Sequence, residues 1–418
     1  MTANAYSELP YSILKCSKKI AGVVKHTPLQ EMPRLSAMYG AEIWFKREDL
    51  QLVRSYKIRG AYNSIINLDR GTAGRGVVCA SAGNHAQGFA YSCELMRIKG
   101  YVFMPEVTPR QKLEKVRDFG GEWVEIALTG TTYDEAYEQA VSFCEARNMT
   151  FVHPFDNIHT ITGQGTVGVE IFEDLPEADV VIVPVGGGGL LAGVGLIARH
   201  IRPSCRIIGV DPAGAPKLVE ALREGGPVRL EEIDPFIDGA AVRQVGALPF
   251  NIIPAVTDKV IAVREGKVCS MMIELYQNEG IIAEPAGVLS IAALEQLEEE
   301  IRGKKVVCIL SGGNNDIARY PEVIERSLIF EGLKHYFIIE FAQKPGELRA
   351  FLNRVLGPED DIVRFEYLKK TNREFGPALV GIELSRPGDL EPLLERFRLE
   401  QFRFRNITND DMLRKYII

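Results

Sequence analysis

The chain has 418 residues, 46% of them hydrophobic and 25% charged, which fits a globular protein of two or three domains and excludes a low-complexity or fibrous one. Its 49 basic and 56 acidic residues leave a formal net charge of −7, which argues against a nucleic-acid partner. Residues 1–10 are polar and lack a basic-then-apolar leader, and the seven scattered cysteines include no Cys-x-x-Cys pair, so a reduced, cytoplasmic protein is expected.

In chain order, the first segment of interest is Ser55-Tyr56-Lys57-Ile58-Arg59-Gly60. A lysine is by default a solvated surface group. Lys57 differs in standing where a helix begins, just after Arg54, a cation that would lower its pKa and free the amine for attack. From residue 76 to about 161, short apolar runs alternate with helical patterns. Strands are expected at 76–80, 101–104, 122–126 and 151–153, with helices at 84–96, 109–119 and 133–147. Such βαβα alternation predicts a parallel sheet. A second block to about residue 320 places strands at 180–184, 206–210, 259–263 and 305–310, with helices near 189–200, 266–278 and 285–302.

Three of these strands run into Gly/Ser/Asn loops: Ser81-Ala82-Gly83-Asn84-His85, Gly186-Gly187-Gly188-Gly189 and Ser311-Gly312-Gly313-Asn314. Ligands of open α/β sheets sit beyond the carboxyl ends of the strands. The 186–189 loop followed by a helix from Leu190 gathers free N–H groups and a helix's positive end, which suits phosphate. Phosphate-binding loops beside one lysine point to a phosphorylated cofactor held covalently. A rival exists, because Gly187, Gly189, Ala192 and Asp211 nearly complete a dinucleotide-binding fingerprint. That rival gives Lys57 and Ser311 no task. The 81–85 loop is either a plain helix cap or a cradle for a carboxylate. Ser311 is either a loop residue or a partner for a ring nitrogen.

No metal site is expected, since His153 and His159 have the wrong spacing for one helical face. Asp211 and Glu284 are weak candidates for a cation site. Residues 180–198 carry no charge and approach the ~20 residues of a membrane span. Pro184 and four consecutive glycines interrupt them, so strand, loop and helix are expected instead. From residue 333 the pattern changes to strand 333–341, a helix opened by Pro345-Gly346 with the proline in its first turn, strands 362–368 and 378–384, a helix 390–397 and a strand 402–407. That order, βαββαβ, is ferredoxin-like.

Taken together, Ser55-Tyr56-Lys57-Ile58-Arg59-Gly60-Ala61, Ser81 to Gly88, Gly186 to Leu190 and Ser311-Gly312-Gly313-Asn314 resemble the threonine dehydratase group of fold-type II pyridoxal-phosphate enzymes. Lys46-Arg47-Glu48-Asp49-Leu50-Gln51 and Glu284-Pro285-Ala286-Gly287 extend the likeness. Leu333-Lys334-His335-Tyr336-Phe337 resembles the link into the regulatory domain of the biosynthetic members. The resemblance implies two parallel-sheet α/β domains within residues 1–330, with a small subdomain at about 55–160 inserted in the larger, and an ACT-like regulatory domain at 331–418. It implies that Lys57 carries pyridoxal 5'-phosphate and moves the substrate's α-proton, and that Asn84 bonds the ring hydroxyl. Gly186, Gly187, Gly188, Gly189 and the Leu190 N–H would bind the phosphate, and Ser311 the ring nitrogen. Ser81, Ala82, Gly83, Asn84 and His85 would cradle the substrate carboxylate, with the cofactor phosphate or Ser81 assisting loss of the β-hydroxyl.

The expected activity is L-threonine ammonia-lyase, the first step of isoleucine biosynthesis, with isoleucine as effector, no membrane or nucleic-acid partner, and a homodimer or homotetramer. The long form of this family carries two ACT-like modules, and this chain has room for one. A serine dehydratase or racemase is the near alternative. A nicotinamide-dependent dehydrogenase and a non-catalytic amino-acid sensor are the distant ones.

Overall fold

The computed structural model describes residues 6–368 and 373–410, so the outermost ends of the expected domains, 1–5 and 411–418, lie outside the described residues. Among the described residues there are fourteen strands in chain order. They are β1 (Leu29–Glu31), β2 (Glu42–Arg47), β3 (Val77–Ala80), β4 (Gly100–Met104), β5 (Val124–Leu128), β6 (Thr150–Phe151), β7 (Val180–Pro184), β8 (Arg206–Pro212), β9 (Lys259–Val263), β10 (Lys305–Leu310), β11 (Lys334–Ala342), β12 (Asp361–Tyr367), β13 (Phe375–Glu383) and β14 (Arg403–Asn406). The chain divides into two compact units, one of Met1–Glu265 with Ile281–Asn315, the other of Gly266–Gly280 with Asp316–Ile418.

The first unit holds two sheets. The larger has the order β1-β2-β10-β7-β8-β9, parallel except where β1 pairs antiparallel with β2. The smaller, β5-β4-β3-β6, is parallel throughout. Every residue of β3 and β7 is buried, as expected for parallel strands covered on both faces. The larger core gathers Val181, Val183, Ile207, Val307 and Ile309 under the helices Ile158–Asp174 and Gly189–Ile201. Val77, Cys79, Phe89 and Val102 form the core of the smaller sheet. All seven cysteines are buried, where they pack as small apolar groups. Among the described residues no helix is long and apolar enough to cross a membrane.

Two helices of the first unit cross closely enough to need glycine. A Cβ on Gly163, in the helix Ile158–Asp174, would lie 2.4 Å from the carbonyl oxygen of Arg59 in the helix Lys57–Ile66. The long helix is started by Asn157, whose side chain accepts from the N–H groups of His159 and Thr160. The expected single helix 285–302 is instead two, Pro285–Ala292 and Leu294–Ile301. The Ala293 N–H bonds to the nearby Ile291 carbonyl, which breaks the four-residue ladder.

In the second unit the antiparallel order β12-β13-β11-β14 and the helices Glu347–Arg354 and Leu390–Leu399 complete the βαββαβ pattern. Phe337, Phe351 and Phe397 are fully buried at its centre. One detail of the expected helix start is corrected. Gly346 takes φ +90, which is not helical, so Pro345 and Gly346 form a turn and the helix begins at Glu347.

Candidate active site

Lys57 opens the helix Lys57–Ile66, and its backbone N–H donates to the Ser55 hydroxyl at 3.3 Å. Ser55 pairs with Gly312 in an isolated antiparallel bridge, and the Tyr56 N–H donates to the Ser311 carbonyl at 3.2 Å. The lysine segment is thereby zipped to the loop after β10. The Lys57 Nζ donates to the Pro154 carbonyl at 3.1 Å. Burial lowers its pKa to about 8, against the charge of Glu284, which favours the ammonium. The neighbouring cation expected from the sequence is not the cause. Arg54 adopts φ +55, and its guanidinium would lie 3.0 Å from a Cβ on Gly313. An amine with this pKa keeps a usable neutral fraction near pH 7, as a nucleophile or base requires.

The 186–189 loop follows β7, and Gly188 caps the helix Gly189–Ile201 with φ +92. Its glycines pack too closely on their neighbours to carry side chains. A Cβ on Gly187 would stand 2.1 Å from the Phe155 ring, and one on Gly189 would stand 2.5 Å from the Gln164 Oε1. That oxygen is buried and without a partner, while the Gln164 amide donates to the Pro154 carbonyl at 3.2 Å. Pro154-Phe155 and Gln164 therefore join the phosphate-type loop to Lys57. Sequence reasoning passed over all three residues, since each looks like ordinary loop or helix filling.

Asn84 starts the helix Asn84–Met96 and is held at both ends of its amide. Its Nδ2 donates to Glu284 Oε1 at 2.6 Å, and its Oδ1 accepts from Asn314 Nδ2 at 2.7 Å. Burial raises the Glu284 carboxyl to about pKa 7, helped by the charge of Asp238 and opposed by the Asn84 hydrogen bond. The Ser311 hydroxyl is buried and donates to the Ala286 carbonyl at 3.2 Å. The loops that carry Ser311, Asn84 and Lys57 thus meet, with Glu284 tied to the first two.

In the 81–85 loop the Ser81 hydroxyl accepts from the Gly83 N–H at 3.2 Å, leaving its own proton for another partner. No side chain caps the following helix, so its first N–H groups face outward from the helix end, as a carboxylate site needs. The His85 ring turns away from this role. Its Nε2 contacts the Val152 carbonyl at 2.9 Å, and burial, then the charges of Lys57 and His153, push its pKa down to about 3. It is a neutral ring, and only its backbone can serve an anion. The His85 Nδ1 is also buried without a partner.

Two expectations about Asp211 are revised by its surroundings. The carboxylate is fully buried against Lys217 Nζ at 2.7 Å, so it neither faces a ribose nor lines an open cation site. Among the described residues no group of three or more His, Cys, Asp or Glu side chains is placed to hold a metal.

Behind Lys57 lies a buried charge network that the sequence showed only as scattered residues. Arg59 donates Nε to Glu48 at 2.8 Å and Nη1 to Glu170 at 2.6 Å, with further bonds from Nη2 to both carboxylates. Lys46 Nζ meets Glu170 at 2.7 Å and the Thr27 carbonyl at 2.6 Å. Two cations and two carboxylates, fully or nearly buried, balance one another and fix the first turn of the lysine's helix.

A family model described as "Pyridoxal-phosphate dependent enzyme" matches residues 20–312, and one described as "C-terminal regulatory domain of Threonine dehydratase" matches residues 325–417. The chain is similar to the L-threonine dehydratase biosynthetic IlvA of Halalkalibacterium halodurans, 48% identical over 97% of this chain and 98% of that one. The protein of the same name from Mycobacterium tuberculosis H37Rv is 52% identical over 92% and 90% of the two chains. Among solved structures, the processed form of threonine deaminase isoform 2 from Solanum lycopersicum superposes with a TM-score of 0.73 at 36% identity, over 77% of this chain and 94% of that one. Maize serine racemase superposes with a TM-score of 0.71 at 32% identity, over 76% and 97%.

Proposed function

The chain belongs to the biosynthetic L-threonine dehydratases, a family of pyridoxal-phosphate-dependent lyases, and on that premise we propose how its residues divide the work. The protein converts L-threonine to 2-oxobutanoate and ammonia. Its catalytic part is assigned to residues 1–330, with the 55–160 subdomain inserted, and its regulatory part to 331–418. The observation that carries the reading is the meeting of Lys57, with its lowered pKa, and the glycine loop across Pro154.

The residues fit pyridoxal phosphate. No side chain caps the helix Gly189–Ile201, so the N–H groups of its first turn are left for a phosphate, and a Cβ at 187 or 189 would collide with Phe155 or Gln164 and push the loop out of place. Gly186 to Gly189 and the Leu190 N–H are assigned to the phosphate, Asn84 to the ring hydroxyl, Ser311 to the ring nitrogen and Lys57 Nζ to the covalent bond. When bound, the cofactor acts as the electron sink for charge developing at the substrate's α-carbon.

The protein then supplies orientation and proton transfer. The N–H groups of the 81–85 loop hold the threonine carboxylate. The Lys57 amine, freed when the threonine amine takes its place and neutral in part because it is buried, removes the α-proton. The Ser81 hydroxyl, whose oxygen is occupied by the Gly83 N–H, gives its proton toward the departing β-hydroxyl and is restored by the proton that Lys57 has taken up. Water is lost in that step and regained when the released enamine hydrolyses, so the balance is threonine to keto acid plus ammonia. A neutral Ser311 at the ring nitrogen, rather than a carboxylate, favours expulsion of the β-group over transamination.

Isoleucine, as the product of the pathway, is assigned to the ACT-like unit as inhibitor, and the working enzyme to a cytoplasmic homodimer or homotetramer. Effector binding shifts activity only by favouring one of two states. The test is direct: purified protein given L-threonine should release 2-oxobutanoate and ammonia in equal amounts, and the Lys57→Ala protein neither. Turnover confined to L-serine, or normal turnover by Lys57→Ala, overturns the assignment.

A further inference from the structure

Asp211 drew attention in the sequence as a ribose or cation ligand, and the function above leaves it without a task. We propose that Lys217, held by Asp211, is a positioning residue that sets the phosphate loop by gripping the carbonyl of Val185, the residue before Gly186.

Val185 is fully buried just past the end of β7. Its N–H donates to the Val210 carbonyl at 2.9 Å, and its own carbonyl accepts from Lys217 Nζ at 2.6 Å. The same ammonium meets Asp211 Oδ1 at 2.7 Å, and Asp211 directly follows Val210. Both backbone groups of Val185 are therefore fixed from one point on β8. The second carboxylate oxygen of Asp211 accepts from the N–H groups of Leu218 at 2.7 Å and Val219 at 3.1 Å, which locks the helix Lys217–Glu224 that carries the lysine.

Lys217 and Asp211 are both fully buried. An apolar pair of similar volume often stabilises a fold as well as a buried ion pair does. What such a pair cannot do is bond a carbonyl. Here that carbonyl lies at the entrance to the loop whose amides must converge on a phosphate, and the Gly187 carbonyl just beyond is itself fixed by the Gly246 N–H at 3.0 Å. Both of these bonds are made on the carbonyl side of the loop and take up none of its N–H groups. Preorganised donors of this kind gain affinity because little ordering remains to be done on binding.

The inference rests on the assignment of the 186–189 loop to phosphate, and the test separates the two. Full-length protein stripped of cofactor is titrated with pyridoxal 5'-phosphate and with pyridoxal, which lacks the phosphate, following protein fluorescence. Lys217→Met should weaken pyridoxal phosphate by about tenfold or more, the scale of one strong hydrogen bond, and leave pyridoxal within about twofold. Equal weakening of both ligands, or of neither, overturns the proposal. If Lys217→Met does not fold, Asp211→Asn decides. It keeps an acceptor for the ammonium but removes the charge, and should show the same selective loss to a smaller degree; equal affinities for the two ligands relative to wild type refute the idea. A wild-type protein that binds pyridoxal as tightly as its phosphate would instead remove the loop assignment itself.

Discussion

Arg59→Met is the sharpest test of the network behind the catalytic lysine. The substitution keeps much of the side-chain volume and removes one of two buried cations, so Glu48 and Glu170 remain with Lys46 as their neighbouring cation. Breaking a buried pair from one side costs about 3–5 kcal/mol, because the partner charge stays buried. The first unit has about 300 residues. At about 2.1 cal/mol/K of unfolding entropy per residue, 1 kcal/mol moves its midpoint by roughly 1.6 °C. Arg59→Met should therefore lower the transition of that unit by about 5–8 °C in differential scanning calorimetry. Adding Glu48→Gln should recover part of the loss, since it removes one of the stranded charges. A fall of less than about 2 °C, or no recovery in the double variant, would show that the network does not hold the helix start in the way described.

The other predictions are briefer. Gly187→Ala should cut cofactor retained after gel filtration by about tenfold or more, because a methyl group 2.1 Å from the Phe155 ring must displace either the ring or the loop; full retention would contradict the cradle. In cofactor-free protein, the rate of pyridoxal phosphate uptake should rise with pH and level off above about 8, the Lys57 pKa, instead of climbing toward the range of a solvated lysine. Glu170 is held below its ordinary 4.5, since Arg59 and Lys46 together outweigh its burial. Its contribution to stability should be present above pH 4.5 and lost as pH falls through its lower folded value; Glu170→Gln should be less stable than wild type at pH 7, with the gap narrowing below pH 4.5. Truncation after Gly332 should abolish isoleucine inhibition while threonine turnover continues, and unchanged inhibition would place the effector site elsewhere.

The fold was legible because its signals are strong. Val180 to Pro184 and Lys305 to Leu310 read as strands because parallel strands buried on both faces must be continuously apolar. The glycine loops read as a phosphate site because glycine and a helix start make one chemistry cheap. What escaped were effects of distance. Nothing near Glu170 in the chain shows that it meets Arg59, 111 positions earlier. Pro154 and Gln164 join Lys57 only through a carbonyl, which no residue type advertises. The cause of the lowered Lys57 pKa was also misread, because a cation adjacent in sequence is visible and burial is not. The Asp211 of an apparent dinucleotide fingerprint proved to be spent on Lys217, which shows how a motif with correct spacing can serve a different task.

The whole account turns on which nitrogen holds the cofactor. Holoenzyme reduced with borohydride, digested and analysed by mass spectrometry should carry the pyridoxyl phosphate mass on the peptide containing Lys57. Finding the mass on any other lysine, or on none, would contradict it.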